Sequence, residues 1–132
     1  MALPGGFRSP SDANLYATVV RETFEEVAID LESDTEFLGC LSDVTPAIDD
    51  VTVRPFVFAR ERTPEIVTNH EVEAIDWTLV GAIARGDSPA RFELSVGTVR
   101  RSFPGFSVGE HVVWGMTYRV LMDLVDRAGR QT

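Results

Sequence analysis

Lysine is absent from this chain: all twelve of its basic residues are arginine. They are outnumbered by 21 acidic residues, which gives a formal charge of -9 and a pI near 4.6. That balance argues against a protein that grips a nucleic-acid backbone, because such binding rests on neutralising phosphates with basic side chains. The acid excess reads chiefly as solubility, and arginine in place of lysine suits forked contacts to phosphate. Cysteine is nearly absent too. Cys40 is the single one, which excludes an internal disulfide, and its apolar setting Phe37-Leu38-Gly39-Cys40-Leu41 predicts buried packing. No apolar run approaches the ~20 residues of a membrane span. The start, Met1-Ala2-Leu3-Pro4-Gly5-Gly6, has neither the basic nor the apolar region of a signal peptide. Repeats, low-complexity tracts and linkers are lacking as well. The expectation is one soluble cytoplasmic domain over residues 1–132, with no membrane and no nucleic-acid partner. At 44% hydrophobic and 25% charged the chain is ordinary in composition and able to form a core.

Leu3-Pro4-Gly5-Gly6 is turn material, and the loop runs on through Arg8-Ser9-Pro10-Ser11. Ser11 or Asp12 is expected to cap a helix that ends near Val27. Tyr16, Val20, Thr23 and Val27 form its apolar stripe at helical spacing. Residues 37–42 and 51–60 read as strands, with Pro55 calling for an edge or a bulge in the second. Residues 72–80 read as another strand, with Ile75 and Trp77 on one face and Trp77 in the core. Residues 81–85 read as a short helix closed by Gly86. Residues 92–103 are strand or loop and end at Pro104-Gly105. A last helix over residues 113–127 is expected to bury Trp114, Thr117, Leu121, Leu124 and Ala128. The order predicts an α+β fold, with helices packed on a mixed sheet.

Chemistry concentrates in Arg21-Glu22-Thr23-Phe24-Glu25-Glu26. Glu22, Glu25 and Glu26 stand at i, i+3 and i+4, so three carboxylates share one helix face at a cost of a few tenths of a kcal/mol per pair. Such a face is either simply solvated or a hard-cation site, since Mg²⁺ takes oxygen ligands while keeping waters and substrate phosphates in its shell. His70 and His111 read as solvent or turn histidines, and Arg100-Arg101 as a solvated pair.

Leu3-Pro4-Gly5-Gly6, then fourteen residues, then Arg-Glu-x-x-Glu-Glu resembles the Nudix box. The family pattern is Gly, five residues, Glu, seven residues, then Arg-Glu-apolar-x-Glu-Glu-x-Gly-apolar. Here the loop is one residue longer. The loop glutamate is replaced: counting from Gly6 reaches Asp12, and counting back from Arg21 reaches Ala13. The glycine after Glu-Glu is Ala28, which reads as giving up a positive φ there. Pro10, Asp12 and Thr18 in the longer loop are similar to the coenzyme A pyrophosphatase branch. So are Asn69-His70-Glu71-Val72, Phe103-Pro104-Gly105-Phe106 and Trp114-Gly115-Met116-Thr117.

The resemblance implies a Nudix-type α/β/α sandwich whose N-terminal strands are missing, with weak stability or a strand-exchanged homodimer as the consequence. It implies hydrolysis of a nucleoside diphosphate linked to another moiety, with coenzyme A or a derivative as substrate. ADP-ribose or a dinucleotide, or a non-catalytic nucleotide-binding remnant, are the alternatives. Mg²⁺ is the implied cofactor, with Mn²⁺ as the substitute. The Gly5 carbonyl and the carboxylates of Glu22, Glu25 and Glu26 would hold it. Arg21 would orient the glutamates, with Asp12 in place of the loop glutamate as its partner. Glu22 and Glu71 are the two candidates for the general base.

Overall fold

Asn14 starts the first helix by turning its side-chain oxygen onto the Ala17 N–H at 2.9 Å, so that one of the orphan donors of the first turn is satisfied. This is seen in a computed structural model that describes residues 1–46 and 50–129. Helix α1 therefore spans Leu15–Val27 and begins later than a cap at Ser11 or Asp12 would allow. Asp12 does not cap because its carboxylate is committed to Ser9, Thr18 and Arg21. The expected stripe is the packed one: Thr23 and Val27 are buried, and Tyr16 and Val20 half-buried.

Tyr16 lies against a two-stranded antiparallel ladder of β1 (Glu36–Cys40) and β2 (Phe56–Ala59). Its ring centroid is 5.4, 6.4 and 5.9 Å from those of Phe37, Phe56 and Phe58, and aromatic pairs at such spacings contribute about 0.5–1.5 kcal/mol beyond area burial. Strand β2 is shorter than the expected 51–60 and begins directly after Pro55, which has no N–H for a ladder. The register shifts between Phe37 and Gly39. Each strand has one partner within the described residues, so apolar composition does not become burial. Leu38 is exposed and Cys40 is an exposed free thiol, which corrects the expectation that it is packed away.

Helix α1 ends at Ala28, in the left-handed region at φ 60° and ψ 27°, with its N–H on the Phe24 carbonyl at 2.9 Å. The positive φ that an alanine was expected to forgo is adopted after all. Left-handed backbone costs an L-residue about 1–2 kcal/mol, while glycine loses about 0.5–1 kcal/mol more chain entropy on folding. Ala28→Gly should therefore raise stability by roughly 0.5–1 kcal/mol, read as a later urea midpoint at unchanged slope. Two further orphan carbonyls of the last turn are met from the following segment. The Val67 N–H reaches Val27 O at 3.2 Å, and the Asn69 N–H reaches Glu26 O at 3.1 Å.

These elements make one compact unit, Leu3–Cys40 with Phe56–Ile75; the second comprises Met1–Ala2, Leu41–Pro55 and Asp76–Thr132. In the second unit α2 (Val80–Arg85) closes on Gly86, left-handed at φ 67°, as the sequence led one to expect. There follow β3 (Pro89–Val96), β4 (Val99–Val108), β5 (His111–Trp114) and α3 (Gly115–Gly129). The three strands form an antiparallel meander whose turns are two residues each, Gly97-Thr98 and Gly109-Glu110. Both glycines have positive φ, as short hairpin turns require. Pro104-Gly105 therefore does not end a strand but lies within β4. Pro104 falls just beyond the last β4–β5 pair, Gly105↔Trp114, so the β5 ladder does without its missing N–H. Gly105 is required by close approach, since a Cβ there would stand 2.2 Å from Val113 O.

The core of this unit is Ile83, Phe106 and Val113, with Tyr118, Leu121, Met122 and Val125 of α3 packed on it. The final helix starts two residues later than expected because Val113 and Trp114 complete β5. Trp114 consequently leaves the helical stripe and stacks on Phe92, with centroids 4.1 Å apart and planes within 4°. Thr117 is buried and Leu121 and Leu124 half-buried, but Ala128 is exposed. Residues 72–80 form no ladder, and Trp77 is 65% exposed rather than in the core. The α+β class stands, while every ladder among the described residues is antiparallel where a mixed sheet was expected. Within them no helix is long and apolar enough to cross a membrane.

Candidate functional site

One side of α1 faces an open cleft of about 640 Å³ in the first unit. Residues 5–7 line it from the loop, Glu22, Glu25 and Glu26 from the helix, and residues 69–71 from the segment beyond β2. The helix geometry alone brings the three glutamates to this face. Glu71 arrives by a different route. The Asn69 N–H caps Glu26 O, and the Asn69 side chain then accepts the Glu71 N–H at 3.0 Å, a local turn that fixes the residues between. Both candidate bases, Glu22 and Glu71, thus line one cleft with the other acidic side chains. His70 lies exposed in that turn and also borders the cleft.

Arg21 is the hub of the loop. Its Nε and Nη2 donate to the two oxygens of Asp12 at 3.0 and 2.9 Å, a forked pair. Nη2 also reaches the Phe7 carbonyl at 3.3 Å. Nη1 donates to Glu22 at 3.1 Å and to Glu25 at 3.2 Å. Asp12 is buried at 6% exposure and accepts two more donors on Oδ2, the Ser9 N–H at 2.8 Å and the Thr18 hydroxyl at 2.9 Å. Hydrogen bonds from Arg21 first, then from Ser9 and Thr18, hold the Asp12 carboxyl far below the usual carboxylate range. Asp12 takes up the position as partner of Arg21 that the longer loop suggested. Arg8 ties down the same loop through the carbonyls of Asp12 and Ala13.

Glu26 has the opposite electrostatics. Burial pushes its carboxyl up, and the nearby charges of Glu22 and Glu71 add to this, while a backbone hydrogen bond from Gly5 offsets part of it. A Cβ at Gly6 would stand 2.5 Å from the Glu22 carboxyl group, so any larger residue there would displace that carboxylate. Among the described residues no three His, Cys, Asp or Glu side chains are drawn together into a ready metal-holding group. Glu22 and Glu25 instead share the guanidinium of Arg21. The donor chemistry nevertheless suits a hard divalent cation: all four acidic groups offer oxygen, and Glu26 stands among like charges that a cation would offset.

Phe7 borders the cleft without having stood out in the sequence, and Asn69, which entered there only as the first residue of Asn69-His70-Glu71-Val72, borders it too. An asparagine two residues before Glu71 was the available signal, since asparagine side chains bond to backbone N–H groups just ahead of them. Trp114, His111 and Arg100-Arg101 belong to the second unit, where His111 and both arginines are exposed. That unit has a smaller cavity of about 160 Å³ between α2, α3 and the β3–β4 hairpin, floored by Ile83, Phe106 and Met122. It has a single carboxylate, Asp87, already paired with Arg85 at 2.8 Å.

Compared with known families, residues 1–95 match the NUDIX domain. No curated protein matches the chain.

Proposed function

The chain belongs to the Nudix family, and from that premise we propose that it is a Mg²⁺-dependent hydrolase of a nucleoside diphosphate linked to another group, with coenzyme A or a derivative as substrate. The observation that carries the reading is one cleft lined by Gly5, Glu22, Glu25, Glu26 and Glu71 together. The Gly5 carbonyl and the three helix glutamates would hold the cation. Bound there, Mg²⁺ supplies neutralising charge for the diphosphate and acidifies a water.

The remaining work falls to the chain's own residues. A carboxylate takes the proton of the attacking water as oxygen bonds to one phosphorus and the bridging P–O bond breaks. Glu71 suits this role better than Glu22. The Glu22 carboxylate is already engaged by Arg21 at 3.1 Å and is assigned to the cation as well, so its oxygens are committed to other partners. No ion pair engages Glu71 among the described residues. Arg21 positions the glutamates by holding Glu22 and Glu25 on one side while Asp12 fixes its other edge. The coenzyme A assignment rests on the longer loop, whose Asp12 accepts the hydroxyl of Thr18 on α1, and on the similarity of the segments around Glu71 and Trp114.

The test is product release from coenzyme A, ADP-ribose, NADH and a diadenosine polyphosphate, each with Mg²⁺ and with EDTA. Metal-dependent cleavage favouring coenzyme A is the expected result. Preference for another member of the panel would reassign the substrate. Absence of cleavage from a folded, Mg²⁺-binding sample would remove the enzymatic reading.

A further inference from the structure

Strand β3 is an edge. It pairs with β4 on one side, and among the described residues no strand or backbone hydrogen bond occupies the other. An eight-residue edge with free backbone groups is a template for another strand. Its side chains are sorted by face: Ala90, Phe92, Leu94 and Val96 on one, Arg91, Glu93 and Ser95 on the other. Val96 and its β4 partner Val99 are 69% and 55% exposed, so the apolar face continues to the tip of the hairpin.

We propose that β3 pairs antiparallel with β3 of a second copy of this chain about a two-fold axis through Phe92, making one six-stranded sheet. The sequence of the strand is self-complementary in that register. Arg91 stands opposite Glu93 of the second copy, and Glu93 opposite its Arg91, so two opposite-charge pairs form on the polar face. On the other face Phe92 meets its own copy, and Ala90 meets Leu94 twice. Centring the axis on Glu93 would set that carboxylate against itself, which selects against the neighbouring register that keeps the faces matched. Pro89, which has no N–H to offer, falls at the end of the ladder where the loss is least. The interface is isologous, as a closed dimer requires. It is independent of the hydrolytic reading, because none of these residues lines the carboxylate cleft.

Sedimentation velocity across a concentration series tests it with Arg91→Glu and Glu93→Arg. Each variant alone places like charges opposite one another at both pairs and is expected to weaken the dimer at least tenfold. Mixed together, the two variants restore opposite charges at both pairs, so the mixture is expected to dimerise where neither does alone. The double variant carrying both exchanges is expected to dimerise by itself, which keeps the test decisive if one single variant folds poorly. A wild-type chain that stays monomeric throughout the series would overturn the proposal. So would a dimer indifferent to both single exchanges, or a mixture and a double variant that remain monomeric.

Discussion

Replacing Glu26 by glutamine should lower kcat/KM on the preferred diphosphate by about 10²–10³-fold, the scale on which a single charge-stabilising group acts, while the fold survives. Glutamine keeps the shape of the side chain and removes its charge. In the free protein that charge is a liability: burial disfavours it, and Glu22 and Glu71 repel it. The substitution should therefore leave the thermal midpoint unchanged or higher. A residue whose neutral substitute is harmless to folding yet costly to turnover acts in the reacting complex, where bound cation and diphosphate change the sign of its surroundings. Glu25→Gln gives a useful contrast, because Glu25 is about half exposed and already shares Arg21. Losing that exposed ion pair should cost a little stability where Glu26→Gln costs none, and it should also weaken Mg²⁺ binding by titration calorimetry. Full activity in Glu26→Gln would take this carboxylate out of the reaction and leave the cleft without its central ligand.

The parts of the site that helix geometry controls could be read directly, because i, i+3 and i+4 spacing places Glu22, Glu25 and Glu26 on one face whatever else the chain does. Asp12 was legible by counting from Gly6, since the extra loop residue shifts the acid by one place without moving the loop's attachment to Arg21. Glu71 was named by resemblance, and the Asn69 side chain that takes its N–H is legible in the sequence. The backbone bond from Asn69 to Glu26 O that anchors this turn to the helix is encoded by no pattern of side chains. The failures share a physical cause. Trp77 and residues 72–80 have the composition of a buried strand, yet strands exist only with partners, and none pairs with them among the described residues. Cys40 sits in an apolar run whose burial depended on a second covered face. In β4, Pro104-Gly105 reads locally as a stop. The register carries the strand past it, because the proline falls beyond the β5 ladder and the glycine admits Val113 O. Ala28 shows the reverse. A residue poorly suited to positive φ takes it because the Phe24 carbonyl still needs a donor at the helix end.

Arg21→Lys should be the most damaging conservative exchange in the chain, lowering the thermal midpoint by on the order of 5–10 °C and hydrolysis by about a hundredfold or more. The guanidinium makes contacts in three directions at once: a fork onto Asp12, one bond to the Phe7 carbonyl, and one edge shared by Glu22 and Glu25. An ammonium is a single point of charge on a flexible stem and cannot span them. Asp12→Asn attacks the same joint from the loop side. Its amide offers one acceptor oxygen where four donors converge, and its NH₂ would face the guanidinium donor to donor. Thr18→Val removes only one of those donors and should cost about 1 kcal/mol, so the three variants should rank in the order of bonds lost.

The pH dependence supplies an independent check. The Asp12 carboxyl is depressed in the folded protein below its ordinary value of 3.8, so its contribution is complete above that pH. It is lost as the pH falls toward the folded value, because the unfolded chain takes up the proton first. The stability gap between the native chain and Asp12→Asn, followed by urea titration, should be constant from neutrality down to about pH 5 and narrow progressively below about pH 4. A gap that stayed constant through that range would show that the loop is held by something other than the Asp12–Arg21 fork. Activity lost in Arg21→Lys at unchanged stability would place the arginine on the substrate instead of behind the glutamates.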